Sequence, residues 1–387
     1  MKKPGAIIIE GHVQGLSNTR SLGEVGIPVY VVDKTDCIAR YSKYCTKFFR
    51  CPDFIEDEFA DFLIKLAKKE DIEGWVLIPS NDHAVYTISK HKDRLEEYYK
   101  VITPSLDIIE NIYDKLRLIE IAKNYNVPVP VTQNFQSVNE EISKDLHFPV
   151  LTKGRNGLSF YKAVGKKAFL AVNEEELRKQ LSLIDQKYNV SKSFTQELIP
   201  SDGSNKTVSF TAFCIDGEIK THWTGIKLRE HPVQFGTATF TKSTYIEICH
   251  HQSVPLLKAL NYTGVCEVEY LKDPRTGEYK LIEINPRTWL WVGLAKACGV
   301  DYAKMIYKYV NNIENVYPIN YDRNLYWVNP VSDVAFALPA ILKGDLKISQ
   351  YLSSVKKGKK VNALLNKKDN TPAYAYLYKL LYFLRNR

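Results

Sequence analysis

The sequence lacks the features of three large classes of protein. Its seven cysteines are an odd number, are widely spaced and form no Cys-x-x-Cys pair, which argues against a disulfide-stapled secreted fold and a zinc site. No apolar run approaches the length of a membrane-spanning helix, and the apolar part of the N-terminus is too short for a signal peptide. No internal repeat or low-complexity segment is evident. We therefore expect a reduced, cytoplasmic protein.

Acidic residues are scarce in one region. Residues 356–387 contain one acid, Asp369, against seven Lys and two Arg. Such a basic tail suits an anionic partner. The candidates are nucleic acid, an acidic membrane surface and a phosphate-bearing substrate. The alternative is a solvated, partly disordered end. Apolar residues recur there at helical spacing, which argues against simple disorder. This stripe consists of Tyr374, Leu377, Tyr378, Leu381 and Leu384. It suits docking on the protein's own core as well as it suits contact with a partner.

What the chain does have is an ordinary globular composition, with 387 residues, 45% of them hydrophobic and 25% charged. That length predicts two to three domains with buried cores. Strands are predicted at residues 5–9 and 27–33, with a helix between them. This βαβ start raises the hypothesis of a dinucleotide-dependent oxidoreductase with Asp33 on a ribose. Gly11 and Gly15 do not match G-x-G-x-x-G, so the turn lacks the backbone approach that a pyrophosphate requires.

A further strand is predicted at residues 74–79, and polar residues follow it directly. Ser80 and Asp82 lie at its carboxyl end, where open α/β sheets bind ligands. The alternative is that these two residues cap the next helix.

The most informative segment is a pair of predicted strands joined by a turn at residues 273–277. Because side chains alternate along a strand, Glu283, Asn285 and Arg287 share one face, and the facing strand brings Glu269 opposite them. Two carboxylates and an amide oxygen suit a hard cation such as Mg²⁺, held together with water and substrate phosphates. The alternative is an ordinary hairpin in which Asn285 and the following proline simply end a strand.

This hairpin resembles the metal-binding signature of the ATP-grasp superfamily, and other segments resemble further parts of that family in the right order. The resemblance covers about residues 5–305. Its other segments are a helix opening at Asp114 and Lys115, a lysine-bearing strand at residues 148–153, a glycine-containing loop at 154–167, and a strand and hinge at 194–200.

The resemblance implies a combined α/β and α+β fold in four parts. Residues 1–110 would form a Rossmann-like N-terminal domain, which in this family often helps to bind substrate. Residues 111–190 and 191–305 would form the two lobes of the ATP-grasp domain, the second carrying the metal site. Residues 306–387 would form a basic, helical C-terminal extension.

ATP and Mg²⁺ or Mn²⁺ are the implied ligands, with Glu269, Glu283 and Asn285 on the metal. Lys115 and Lys153 would neutralise phosphates as compact charges, and the loop of Gly154 and Gly157 would close over them through backbone N–H groups. The loop departs from the more common Lys-Pro and multi-glycine versions. The residues implied for adenine are Gln196, Glu197, Leu198 and Ile199, and the candidate for the ribose is Asp202.

Three basic residues, Lys227, Arg229 and His231, follow a predicted hairpin and are expected to project to one side of a strand. In the resembled fold this strand faces the γ-phosphate and the acceptor. A positive cluster there would stabilise an acyl-phosphate. Arg287, Arg229 and Lys227 are the implied catalytic residues, whereas His231 is the weaker candidate because a histidine beside proline is more often packed or on the surface.

The implied activity joins a small carboxylate to an amine through an acyl-phosphate intermediate. Residues 20–29, 39–44 and 229–232 are most similar to the D-aspartate ligase and carbamoyl-phosphate synthase-like branch. With the basic tail, this favours an amine-bearing cell-envelope precursor tied to the inner membrane surface, and no nucleic-acid partner. The alternatives are the oxidoreductase and an inactive ATP-binding module in a membrane-bound assembly.

Overall fold

The computed structural model describes residues 4–201, 203, 205–231 and 236–385, which build three β-sheets. The first sheet is parallel, in the order β3-β2-β1-β4-β5, with the mononucleotide-binding topology of open α/β folds. The predicted βαβ start is therefore confirmed. Its strands are β1 (Ala6–Ile9), β2 (Val29–Asp33), β3 (Lys47–Arg50), β4 (Trp75–Pro79) and β5 (Tyr99–Lys100), and its helices are α1 (Val13–Gly23), α2 (Glu58–Glu70), α3 (Asp82–Lys90) and α4 (Lys92–Glu96).

Two helices, α5 (Leu106–Tyr113) and α6 (Lys115–Asn124), lead into the second sheet. A helix opens at Asp114 and Lys115, as predicted, and the Asp114 side chain caps α6 by accepting from the backbone N–H of Leu116. The second sheet is antiparallel, in the order β6-β9-β7-β8. It contains β6 (Thr132–Gln133), β7 (Val150–Gly154), β8 (Phe169–Ala171) and β9 (Ser193–Glu197), with the helices α7 (Gly157–Val164) and α8 (Glu174–Lys187).

The third sheet has the order β14-β13-β10-β11-β12-β15-β16 and is antiparallel except for its last pair. Its first five strands in the chain are β10 (Thr207–Ile215), β11 (Glu218–His231), β12 (Thr237–Thr244), β13 (Gly264–Lys272) and β14 (Tyr279–Asn285), followed by β15 (Tyr326–Val328) and β16 (Lys360–Asn362). The helices of this region are α9 (Glu247–Ala259), α10 (Val292–Ala297), α11 (Tyr302–Val310), α12 (Pro330–Leu342), α13 (Ile348–Lys356) and α14 (Thr371–Arg385).

The C-terminal extension is helical, as predicted, but it also completes this sheet through β15 and β16. Ala363, Leu364 and Asp369 are buried, so the first part of the basic tail belongs to the folded body. The helical spacing read near the C-terminus is confirmed by α14, where Tyr374 and Tyr378 are exposed. The side chains of Leu381 and Leu384 lie outside the described part of the structure. No helix among the described residues is long and apolar enough to cross a membrane.

One apolar core joins the first and third sheets. It runs from Ile8 and Val31 of the parallel sheet to Trp223, Trp289 and Trp291, all buried, beside the third sheet. The four-stranded sheet has a separate core formed by its own strands and α8. The first and third sheets therefore form one packed body, and the hairpin of β13 and β14 is held against the end of the parallel sheet.

Candidate functional site

A cleft of about 580 Å³ lies where the three sheets meet. The first sheet contributes Asp82 and His83 at the start of α3, and the third contributes the end of β14. Further residues come from α5, α6 and α7. The cleft thus brings together parts of the chain about 200 residues apart. Its lining residues include Tyr113, Lys115, Asn156, Gly157, Ser159, Lys162, Glu283, Asn285 and Arg287.

The strand pairing predicted for the hairpin, which β13 and β14 form, is confirmed. Glu269 is paired across the strands with Glu283, and Glu267 with Asn285. The Asn285 amide donates to Glu267 Oε2 at 3.1 Å, and Lys115 Nζ lies 3.3 Å from Glu283 Oε2. Lys115 lowers the pKa of Glu283 to about 2 in spite of burial. The structure therefore holds an ionised carboxylate beside a lysine at the cleft.

Glu267 was missed by the sequence reasoning. It lies two residues before Glu269, and the alternation of side chains along a strand therefore places it on the same face. Its carboxylate is buried, accepts a hydrogen bond from Ser209 at 2.6 Å and faces Asn285. The signal that could have found it was the repeated glutamate of the sequence at residues 267–269.

The Glu269 carboxylate forms an ion pair with Lys227. Lys227 Nζ lies 2.9 and 3.1 Å from its two carboxylate oxygens, and both side chains are buried. Burial opposes the charged form of Lys227, but Glu269 and Glu267 outweigh it and raise the lysine's pKa. Lys227 of β11 therefore contacts the hairpin of β13 and β14, where the metal site is predicted.

Lys153 lies at the end of β7. Burial and the nearby charge of Lys115 lower its pKa to about 8, and Glu283 acts in the opposite direction. The two predicted phosphate-binding lysines and Glu283 are therefore close enough to influence one another, although they come from three separate segments.

Arg287 is tied to the N-terminal sheet. Its Nε and Nη2 each lie 2.9 Å from an oxygen of Asp82. The alternative in which Ser80 and Asp82 cap α3 is wrong, because the Asn81 side chain caps it by accepting from the backbone N–H groups of residues 83 and 84. Ser80 instead interacts with the Asn18 amide at 3.2 Å.

The expectation that Lys227, Arg229 and His231 project to one side is wrong for Lys227, which pairs with Glu269, whereas Arg229 and His231 both contact α12. Strand pairing is irregular on both sides of Arg229, which breaks the alternation. Arg229 donates to both oxygens of Asp333 in α12 at 2.8 and 2.6 Å, and His231 stacks on Phe336 at 4.0 Å between ring centroids. Neither residue lines the cleft described above.

The predicted nucleotide residues lie along β7 and β9. Gly154 packs so closely on Phe160 that a Cβ there would come within 2.2 Å of it, and Gly157 opens α7 at the cleft. The backbone N–H groups of Glu197 and Leu198 donate to Val131 and Pro149, each at 2.9 Å. Asp202 lies outside the described residues.

The remaining side chains of this segment turn toward protein groups. Gln196 donates to Thr132 at 3.1 Å, and Ile199 is buried. The Glu197 carboxylate accepts from Lys280 and Arg275, each at 2.7 Å. It therefore links β9 to the hairpin of β13 and β14.

The glycines of the first turn have a packing explanation. A Cβ at Gly11 would lie 2.3 Å from the Cys37 sulfur, and one at Gly15 would lie 2.0 Å from the Glu10 carbonyl oxygen. Asp33 accepts from the Gly11 backbone N–H at 2.8 Å. These contacts use the groups that the oxidoreductase hypothesis assigned to a dinucleotide.

A Rossmann-like domain, a small antiparallel lobe and a large antiparallel sheet that meet at a lysine- and glutamate-lined cleft define an ATP-grasp fold. Comparisons with known proteins agree. Residues 226–314 match the family model of the carbamoyl-phosphate synthase L chain ATP-binding domain. D-aspartate ligase of Enterococcus faecium is 30% identical over 252 residues, which cover 61% of this chain and 59% of that protein. The chain therefore spans less than two thirds of this relative's length.

Solved structures show the same fold. N5-carboxyaminoimidazole synthetase from Staphylococcus aureus superposes with a TM-score of 0.66 at 18% identity, covering 89% of this chain and 87% of that one. L-amino acid ligase from Bacillus licheniformis superposes with a TM-score of 0.61 at 13% identity, covering 80% and 75%. The predicted resemblance to the ATP-grasp superfamily is thus confirmed, and the chain is similar in sequence to D-aspartate ligase and, over residues 226–314, to the carbamoyl-phosphate synthase ATP-binding domain.

Proposed function

We propose that this protein is an ATP-dependent carboxylate–amine ligase that forms an amide or peptide bond. The observation that carries the proposal is the cleft in which Glu283, Asn285 and Arg287 of one strand end lie with Lys115 of the nucleotide lobe and Asp82 of the N-terminal sheet. Cations for phosphates and oxygen ligands for a metal meet there within reach of one bound substrate. The sequence similarity to D-aspartate ligase supports the same activity.

The donor set fits Mg²⁺ or Mn²⁺. In the described parts of the chain, no group of three or more His, Cys, Asp or Glu side chains is placed to hold a metal ion alone. Mg²⁺ is usually bound by one or two carboxylates together with phosphates and water, and Glu283 and Asn285 offer that set with Glu267, or with Glu269 once its carboxylate leaves Lys227. When bound, the metal would neutralise charge on the β- and γ-phosphates.

Lys115 and Lys153 would hold the phosphates of ATP, with the backbone N–H groups at Gly157 on the open end of α7. Residues 196–199 would border the adenine. We also propose that the boundaries near residues 110, 190 and 305 separate parts with different tasks, namely substrate binding, the two faces of the nucleotide site, and the extension.

In the proposed reaction, an oxygen of the substrate carboxylate attacks the γ-phosphorus, and the bond from that phosphorus to the ADP oxygen breaks. The amine then attacks the acyl carbon, inorganic phosphate leaves, and the amine loses a proton to solvent or a nearby base. Arg287 is placed to neutralise the acyl-phosphate, and the lysines reduce repulsion between nucleotide and carboxylate. The protein contributes mainly position and charge.

We propose an amino acid or small carboxylate as one substrate and an amine-bearing cell-envelope precursor at the inner membrane surface as the other. The similarity to D-aspartate ligase and the basic extension support this. A neighbouring cavity of about 390 Å³ at the carboxyl ends of β1 and β2 is lined by Glu10, Asp33 and Asp36 together with His12 and Lys34. Its three carboxyl groups suit a cationic amine.

The test is an ADP-release screen of the purified chain over carboxylates and amino acids, with and without envelope precursors. A productive carboxylate with ATP and hydroxylamine is expected to give a hydroxamate, because hydroxylamine replaces the natural amine. Formation of AMP and pyrophosphate would instead show adenylation. Nucleotide binding without turnover on any pair would favour an inactive module.

A further inference from the structure

Helices α12 and α13 carry apolar side chains that face solvent. In each helix the exposed residues recur at intervals of three or four positions and therefore form a stripe. We call the two stripes together the hairpin surface. It consists of Val334, Leu338 and Leu342 in α12, which are 53, 55 and 80% exposed, and Ile348, Leu352 and Val355 in α13, which are 61, 51 and 46% exposed.

The other side of each helix is fixed to the body of the protein. Asp333 and Ala337 of α12 are buried, and Asp333 receives two hydrogen bonds from Arg229. Arg229 also donates to Ser354 of α13 at 2.5 Å, and its guanidinium lies 5.0 Å from the centroid of the Tyr351 ring. The helices are thus already docked through their polar sides, and the stripes are not needed for that contact.

The charges around the hairpin surface are almost all positive. Residues 343–360 contain six lysines and one acid, Asp345. Lys343 and Lys347 lie in the loop before α13, and Lys356 and Lys357 lie at its end, all exposed. A second copy of this surface would bring these lysines against their own counterparts, which disfavours self-association. An anionic partner is favoured instead.

We propose that the hairpin surface docks this protein on a membrane rich in anionic lipid. The stripes would enter the boundary between headgroups and acyl chains, and the flanking lysines would contact lipid phosphates. Helices of 13 and nine residues are too short to span a bilayer, so they would lie along its surface. The inference differs from a contact made by the terminal tail and does not depend on ligase activity, although it would bring the proposed active site to a membrane-tied acceptor.

The test is flotation of the full chain with vesicles in the absence of nucleotide and substrate. Vesicles of phosphatidylcholine alone are compared with vesicles that also contain phosphatidylglycerol, at low and high salt. The variant Leu342→Glu with Leu352→Glu reverses the stripes. Ile319→Glu is the matched control, because Ile319 is 78% exposed and lies near Thr221, at the opposite end of β11 from Arg229. Unfolding temperatures check that each variant is folded.

The intact chain and the Ile319 variant are expected to bind anionic vesicles, more weakly as salt rises, and to leave neutral vesicles unbound. The double variant is expected to bind at least about tenfold more weakly. Equal binding by a folded double variant, or no binding of the intact chain, would overturn the proposal. So would a concentration-dependent dimer that the double variant abolishes, because a second copy would then cover the surface. None of these outcomes requires turnover.

Discussion

Arg287 and Asp82 form a bidentate ion pair in which each of two guanidinium nitrogens lies 2.9 Å from a carboxylate oxygen. Arg287 lies two residues after the end of β14, and Asp82 is the first residue of α3 in the N-terminal domain. Asp82 raises the pKa of Arg287 despite burial, so the arginine stays charged. The pair therefore fixes a cation at the junction between the proposed nucleotide site and the domain proposed to bind substrate.

The first prediction concerns this pair. Arg287→Lys keeps the charge but loses the two-pronged geometry, and we expect kcat/KM for the carboxylate to fall at least about 100-fold. Asp82→Asn is expected to raise the KM for the carboxylate about tenfold by releasing Arg287, with ADP affinity nearly unchanged. Steady-state kinetics and calorimetry separate the two effects. An Asp82 variant that loses ADP affinity instead would place this pair in the nucleotide site.

The second prediction concerns the carboxylates. Glu283→Gln and Asn285→Ala are expected to lower ATP turnover at least as severely as they lower nucleotide affinity, because the metal that they would hold would matter most where charge moves between phosphates. Glu267→Gln is expected to have a smaller but clear effect through Asn285. Glu278→Gln, at an exposed position near the same turn, is the control. Near-normal turnover in both the Glu283 and Asn285 variants would remove the metal assignment.

The third prediction uses the pKa of Lys153, which burial and the nearby charge of Lys115 lower to about 8. The lysine is charged below that pH and loses its charge as pH rises through it. ATP affinity is therefore expected to fall between pH 7 and 9, by up to about tenfold per pH unit. Lys153→Met is expected to bind ATP more weakly at pH 7 and to lose most of this dependence. Lys187→Met, on the exposed side of α8, should retain it; calorimetry at the two pH values decides.

The fourth prediction concerns Glu10. Burial raises its pKa to about 7, although the Asn81 amide donates to it at 2.8 Å. The folded protein therefore binds this proton more tightly than the unfolded chain does, and the associated stability is present at low pH and lost as pH rises through 7. Glu10→Gln is expected to gain about 2 to 3 kcal/mol relative to wild type at pH 8 and little at pH 4.5.

Urea unfolding at pH 4.5 and 8 measures this difference directly. The control is Glu58→Gln at an exposed position of α2, which should show no such dependence. A Glu10 variant that is less stable than wild type at pH 8 would contradict the assignment of a burial cost to this carboxylate.

Local patterns were enough to predict much of the fold and the strand pairing beside the candidate site. The start of a helix at Asp114 and Lys115, the alternation of Glu283 and Asn285, and the register of the hairpin all depend on residues that are neighbours in sequence or across one tight turn. Such contacts follow from the periods of helices and strands. They therefore could be predicted without knowledge of the rest of the chain.

Two kinds of feature could not be predicted in this way. The pair of Arg229 and Asp333 joins residues 104 positions apart, and nothing in either local sequence indicates the other. The irregular pairing at Arg229 also breaks the alternation on which the prediction for Lys227, Arg229 and His231 depended. Bulges and long-range ion pairs are set by the packing of whole elements rather than by local propensity.

The last prediction concerns the C-terminal extension and a truncation after residue 355. Asp369 is buried and accepts from Arg20 Nε at 2.9 Å, from Ser42 at 2.8 Å and from the Lys43 backbone N–H at 2.9 Å. Truncation there would also remove β16 from the third sheet. It is therefore expected to unfold the protein or to prevent its folding.

Asp369→Asn tests the same contact with one atom changed. Because it leaves the buried Arg20 without its charged partner, we expect a loss of about 3 kcal/mol of unfolding free energy. Asp345→Asn, at an exposed position, is the control and should change stability by less than about 0.5 kcal/mol. Truncation after residue 370 keeps Asp369 and β16 and is expected to leave a folded chain. If truncation after 355 is as stable as truncation after 370, the segment between them does not hold the extension to the N-terminal domain.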